Sequence, residues 1–475
     1  MAYNDSRRAA ARIYRKLRLG WVFNTSTFTG NLVLALIVGY FFRKLGYEDD
    51  VNYVFFLSVL AVGLWVTEAI PPFAVGIFVI AMLLFGFGTD FILSEHRAPA
   101  EMYLSTWTSN VIWLLLGGFF LAEAMGKVNL DKSLFRFTVK KFGGTPEKLL
   151  LGLMVTTAVG SMVMSNTATT AMMVSSVLPL THMLGKSSTY TKALLVGIPA
   201  AATLGGMGTI IGSTPNAIAV GALQEKGLNV TFLDWMAFGL PAALLAVYLF
   251  WIFLVKRMDL SKIKLDFAEL VAKTPVESKF EQRAVMFTLV VTVGMWLSEP
   301  LHGIPIAATS AIPIVLLTLF QVIKAEDVRR LPWDTLMLVA GGLALGIAMV
   351  DVGLTDIIME QIEALPIGLI GIAVVFSIIG VVISNIMSNT AAASILVPIG
   401  LALPGIYGFA VPLIVALSCS CALLLPVSTP SNAIAFSTGM IDQKSFRPGG
   451  LLMIILGPVL AFISVMIWVF IFVGA

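Results

Sequence analysis

Long apolar runs dominate this chain and its charged residues fall in the gaps between them, the pattern of helices that cross a bilayer. Eleven runs are read as crossings, at about 28–42, 51–69, 72–89, 107–126, 191–223, 234–255, 284–298, 304–323, 333–350, 408–440 and 450–473. Two more, 149–185 and 366–403, are long enough to enter the membrane and return, and each carries Ser-Asn-Thr near its centre, at 165–167 and 388–390. These two read as re-entrant hairpins. The expected fold class is an all-α polytopic membrane protein with about eleven transmembrane helices plus two re-entrant hairpins. Composition points the same way, since 58% hydrophobic with only 12% charged residues is a balance that no single soluble core of 475 residues would need.

Charge tests this topology independently, because Lys and Arg accumulate on the cytoplasmic side. With the N-terminus cytoplasmic, the inside segments are 1–27, 127–148, 186–192, 256–283, 324–332 and 441–449, and they hold 26 of the 30 Lys and Arg. The outside segments hold only Arg43, Lys44, Arg97 and Lys226. Were either hairpin a full crossing, every later loop would change sides and the asymmetry would collapse. The expected location is therefore the cell membrane, multi-pass, with a cytoplasmic N-terminus and an extracytoplasmic C-terminus. The basic N-terminal arm, with Arg7, Arg8, Arg12, Arg15, Lys16 and Arg18, reads as a retained helix on anionic lipid rather than a cleaved signal. Segment 256–283 reads as an interfacial linker.

Three features occur twice in the same order. Leu116-Gly117-Gly118 with Ala124-Met125 answers Ala340-Gly341-Gly342 with Ala348-Met349. Met164-Ser165-Asn166-Thr167-Ala168 answers Met387-Ser388-Asn389-Thr390-Ala391, and Gly212-Ser213-Thr214-Pro215-Asn216 answers Ser428-Thr429-Pro430-Ser431-Asn432. An odd number of crossings separates the two copies, so the second is inverted, and one hairpin enters from each side. Inverted membrane repeats with interrupted helices point to a secondary transporter whose site lies between the repeats.

Ser, Asn and Thr compete with helical hydrogen bonding and favour caps, so each tripeptide suits a hairpin tip where one helix stops and another starts. Backbone groups freed there cost several kcal/mol each if left bare in the membrane interior. Helix N-termini offer amides to an anion, while carbonyls and hydroxyls at the break offer oxygens to a small hard cation. No Lys or Arg lies inside a crossing in this topology, so an anion would be held by amides, hydroxyls, asparagines and cations. Glu68, Glu123 and His182 are the few candidates for proton coupling, and each falls near a helix end, where a structural role suits it better. Cys419 and Cys421 read as small packing residues.

On the paired tripeptides and the paired Pro-containing breaks, the chain resembles the divalent anion/sodium symporter family of dicarboxylate transporters. That resemblance implies a homodimer with scaffold and transport domains and an elevator-type movement. It divides the chain into a basic arm and scaffold helices (1–126), the first hairpin and unwound helix (127–255), a cytoplasmic linker and scaffold helices (256–350), and the second hairpin, unwound helix and last helix (351–475). It implies two sodium sites, one from Ser161, Ser165, Asn166 and Gly212, the other from Ser384, Asn389 and backbone oxygens near Met387 and Ser428. The internal repeat supports the pairing of Ser161 with Ser384, since each precedes its tip serine by four residues. The substrate is expected among Asn166, Thr167, Ser213, Thr214, Asn389, Thr390, Thr429 and Pro430. The implied activity is sodium-coupled symport of a small divalent anion, most readily a C4-dicarboxylate such as succinate, malate or fumarate, with Na+ as the transported coupling ion, the lipid bilayer as surroundings and no nucleic-acid partner.

The chain departs from the family in having one Pro where the family often has Pro-Pro at each break, which leaves Thr214 placed to alter selectivity. Alternatives within the class are a sodium-independent dicarboxylate exchanger and a sulfate or citrate carrier. A different class, an intramembrane hydrolase with Ser165 or Ser388 as nucleophile, needs a base that His96, His182 and His302 are badly placed to provide.

Overall fold

The computed structural model describes residues 19–88, 99–260, 279–363 and 366–472, and every regular element among them is helical. Helices α1 (Leu19–Arg43), α2 (Asp49–Thr67) and α3 (Pro72–Phe87) come first, followed by the short α4 (Ala100–Leu104). Six helices follow as one series: α5 (Asn110–Lys127), α6 (Leu130–Phe142), α7 (Pro146–Ser161), α8 (Asn166–Leu184), α9 (Thr189–Gly205) and α10 (Thr214–Glu225). Next are α11 (Phe232–Met258), α12 (Lys279–Leu297), α13 (Glu299–His302), α14 (Ile306–Thr309), α15 (Ala311–Leu319) and α16 (Ala325–Val328). The six-helix series then recurs as α17 (Trp333–Asp351), α18 (Leu354–Glu363), α19 (Gly368–Ser384), α20 (Asn389–Leu401), α21 (Ile406–Cys419) and α22 (Pro430–Ser437), and α23 (Arg447–Phe472) ends the fold.

Four expected breaks therefore appear, two inside the Ser-Asn-Thr segments and two inside the Pro-containing ones. Six helices among the described residues are long and apolar enough to cross a bilayer, and several others are shorter. The crossing expected at 304–323 is one of these. It is interrupted at Ser310 and stops at Leu319, and its 306–319 span rises only about 20 Å, less than the hydrocarbon thickness. The first crossing starts earlier than expected, since α1 takes in residues 19–27 of the presumed arm; residues 1–18 of that arm, residues 261–278 of the linker, and His96 with Arg97 lie outside the described residues. Two amphipathic helices, α6 and α18, were not anticipated and hold matching places, between the first helix of each series and its broken pair.

Contacts join the loops that charge had grouped together. Tyr190 Oη donates to Pro146 O at 3.0 Å, so the two ends of the α7–α8 unit meet. Gln282 Nε2 donates to Val128 O at 3.0 Å, Lys186 lies 3.5 Å from Asp442, and Lys127 forms an ion pair with Asp327. Five of the six basic segments are thus connected directly to one another.

Close helix approach explains the Gly-Gly repeats. A Cβ on Gly341 would overlap the Cα of Gly76 on α3, and one on Gly117 would sit 2.7 Å from Ser310 O. The next glycine of each pair faces the other way in function: Gly118 meets Ile211 in the first break, and Gly342 would bring a Cβ within 2.8 Å of Ser394 Oγ on α20. Small residues let helix backbones approach where water gives no hydrophobic drive.

The Lys127 ammonium, hydrogen-bonded to the buried Asp327, holds that carboxyl below the usual carboxylate range against the opposing effect of burial. A depressed folded pKa adds stability that is complete above the unfolded value and lost as pH falls through the folded one. Asp327→Asn is expected to cost about 1 kcal/mol at neutral pH. The gap between the thermal midpoints of the two proteins should narrow once the pH drops below about 4; a gap that stays constant would mean the pair adds nothing.

Candidate functional site

Both tripeptide tips are built alike. Ser165 (φ −64°, ψ 145°) and Ser388 (φ −65°, ψ 144°) each leave the helical region, and each hydroxyl accepts the amide of the residue three further on, Ala168 or Ala391, at 3.2 Å. The serine thus caps the second helix and the asparagine becomes its first residue. Pro215 and Pro430 stand in the first turns of α10 and α22, where a missing N–H is harmless.

The asparagines of the Pro-containing breaks clamp the opened backbone. Asn216 Nδ2 donates to Gly206 O at 2.9 Å and Thr209 O at 2.8 Å, and Asn432 Nδ2 donates to Leu425 O at 3.0 Å. These are carbonyls that the interrupted helices leave without their usual partners. Asn385, which sequence reasoning missed, adds a second clamp: its Oδ1 accepts from Leu424 N at 2.8 Å and from Ser428 Oγ at 3.0 Å. A polar residue three before a tip serine was the only available signal.

The four breaks converge on one cavity of about 600 Å³. All eight residues expected to hold substrate line it: Asn166, Thr167, Ser213, Thr214, Asn389, Thr390, Thr429 and Pro430. Ser165, Gly212 and Ser428 from the expected ion sites also line it, whereas Ser161 and Ser384 are fully buried behind the tips. Met387 is buried and does not line the cavity, with its amide bonded to Ile383 O at 3.0 Å. The two repeats touch directly where the Ser213 and Ser420 hydroxyls lie 3.0 Å apart.

Each tip asparagine stands between this cavity and a cluster of oxygens. The Asn166 carboxamide end faces Ser161 Oγ at 2.5 Å, Ala202 O at 3.0 Å and Gly212 O at 3.1 Å. The amide nitrogen turns to them and donates to all three, so a cation entering this set of oxygens would require the carboxamide to turn its own oxygen inward. In the second repeat Ser384 Oγ lies 2.6 Å from Asn389 Oδ1 and 2.9 Å from Cys419 O, and there a single hydroxyl proton faces two acceptors. Neutral oxygen sets at unwound helices suit a small hard cation. Among the described residues no group of three or more His, Cys, Asp or Glu converges, so the donors are neutral oxygens. The carbonyls of Ala202 and Cys419 were not foreseen.

Charge enters the cavity wall elsewhere. Glu123 on α5, Arg330 before α17 and Asp334 at its start line the same cavity, together with Leu115, Phe119 and Thr335. The residues contributed by the hairpins and broken helices are all neutral.

Comparison with known proteins fits this geometry. Residues 62–419 match the citrate transporter family, CitMHS. The chain is 28% identical over 457 residues to the sodium-dependent dicarboxylate transporter SdcS of Staphylococcus aureus strain bovine RF122 / ET3-1, covering 88% of this chain and 86% of that one. The SdcS proteins of strains USA300 and N315 match to the same extent. The crystal structure of the Alcanivorax borkumensis YdaH transporter, described as having an unusual topology, superposes with a TM-score of 0.53 at 13% identity, over 84% of this chain and 98% of that chain, which is a likeness of fold.

Proposed function

Since the chain belongs to the citrate transporter family, and is a multi-pass membrane carrier rather than an enzyme, we propose that it moves a small dicarboxylate inward by symport with sodium. The observation that carries this reading is the placement of Asn166 and Asn389, each with one side on the shared cavity and the other on a cluster of neutral hydroxyl and carbonyl oxygens. A cation held there would offset the charge of a dianion in a pocket whose repeat-derived wall has none. The SdcS proteins, named for sodium-dependent dicarboxylate transport, lend support to succinate, malate or fumarate as substrate class.

The same reading extends to mechanism. Helices α6–α11 and α18–α23, which include hairpins α7–α8 and α19–α20 and broken helices α9–α10 and α21–α22, form the transport domain, and α1–α5 with α12–α17 form the scaffold of a homodimer. The Tyr190–Pro146 bond supports a re-entrant first hairpin, and the recurring six-helix series supports an inverted repeat. The linked basic segments support one cytoplasmic face, with the N-terminus on it and the C-terminus outside. The transport domain then travels as an elevator past the glycines Gly118 and Gly342.

Purified protein in liposomes with an imposed inward sodium gradient is expected to accumulate radiolabelled succinate, and replacing sodium by choline should abolish accumulation. Uptake unaffected by choline would overturn symport. Uptake seen only with dicarboxylate inside the vesicles would make the protein an exchanger.

A further inference from the structure

The cavity's charges are partitioned in a way the symport reading does not require. Glu123, Arg330 and Asp334 come from α5 and from the start of α17, whereas the hairpins and broken helices contribute only neutral groups. Resting on the domain division above, the fixed wall is charged and the moving wall is not. Arg330 is exposed, and among the described residues it has no ion-pair partner within 4 Å. Asp327, on the same turn, is already engaged by Lys127.

The turn that carries Arg330 is braced. Its amide donates to Asp327 O at 2.9 Å, Lys324 N donates to Asp327 Oδ2 at 2.8 Å, and Trp333 Nε1 donates to Val328 O at 2.9 Å. The Lys127 ion pair fastens the same turn to the end of α5. The guanidinium therefore projects from a fixed base at the edge of the basic face.

A dianion leaving the neutral pocket through this mouth meets two carboxylates, Glu123 and Asp334, which favour a departing sodium ion and oppose an anion. Arg330 is the one cationic residue on the lining, and a guanidinium offers paired donors that match a carboxylate. We propose that Arg330 forms a second, weaker anion site at the cytoplasmic mouth, where one carboxylate of the substrate is received on release and captured on return. Because the residue sits on the fixed wall at one face, its influence is one-sided.

The test compares two preparations of the same expressing cells, intact cells and inside-out vesicles, each given radiolabelled succinate under an inward sodium gradient. Arg330→Gln is expected to raise KM in inside-out vesicles about five- to tenfold, leaving KM in intact cells within about twofold. Arg330→Lys, which keeps charge but loses the fork, should fall between. Raising ionic strength should raise the vesicle KM of the unaltered protein and not that of Arg330→Gln. Equal changes on both sides, or none on either, overturn the proposal, as does an Arg330→Lys protein that behaves like Arg330→Gln. Failure of the symport reading has a different signature, namely sodium-independent uptake by the unaltered protein in both preparations.

Discussion

Replacing Asn166 or Asn389 by alanine is expected to lower sodium-driven uptake at least about tenfold, the effect of losing about 1.4 kcal/mol. Each carboxamide serves two neighbours at once. On one side Asn166 faces Ser161 Oγ, Ala202 O and Gly212 O, and Asn389 faces Ser384 Oγ, all within 3.1 Å. On the other side both line the cavity. Alanine removes the carboxamide from both the oxygen cluster and the cavity wall, so the sodium dependence should shift along with the substrate KM. Ser175→Ala is the control, because that hydroxyl lies exposed on the same helix and donates only to Met172 O at 2.7 Å. Its uptake should stay within about twofold. Full transport in both asparagine variants, at equal surface amounts, would reduce the repeated tripeptide to a helix cap.

The second large effect is expected at a residue that does not line the cavity. Gly341→Val should prevent recovery of a stable, monodisperse protein, and Gly341→Ala should already lower the thermal midpoint. A Cβ there meets only the backbone of Gly76, which has no flexible side-chain end to give way. Overpacking of this kind costs about 1–3 kcal/mol, and valine adds two methyl groups to the overlap. Gly126→Ala is the matched control on a scaffold helix, since a Cβ at that position has nothing within 4 Å. A Gly341→Ala protein that melts like the unaltered one would show that the α3–α17 approach does not hold the scaffold together.

The parts of this fold that were legible in advance are those governed by local chemistry. Ser, Asn and Thr favour helix caps, so the tripeptides marked the two tips where the structure starts helices at Asn166 and Asn389. Pro215 and Pro430 fixed the starts of α10 and α22 in the same way. Less local elements escaped. Helices α6 and α18 alternate charged and apolar positions at helical spacing, so a search for unbroken apolar runs passes over them. The interruption at Ser310 has a local and a tertiary part: Pro313 has no N–H to give the Thr309 carbonyl, while the Ser310 hydroxyl accepts Trp296 Nε1 at 3.1 Å and Gly117 lies against the Ser310 carbonyl.

By itself, then, the sequence pointed to a membrane chain with three features repeated in order and four helix breaks, while the family resemblance supplied the eight residues that the structure brings to one cavity. Hydropathy, capping preference and repetition are properties of short stretches, and they survive without a fold. Only the tertiary structure decided that Ala202 O and Cys419 O stand behind the two asparagines, because a backbone carbonyl carries no signature in the residue that bears it. It alone decided that Glu123, Arg330 and Asp334, distant in the chain, share one wall with the two tripeptides. The physical reason is that a site between repeats is made by long-range packing, and the Gly-Gly pairs that permit that packing say that something comes close without saying what.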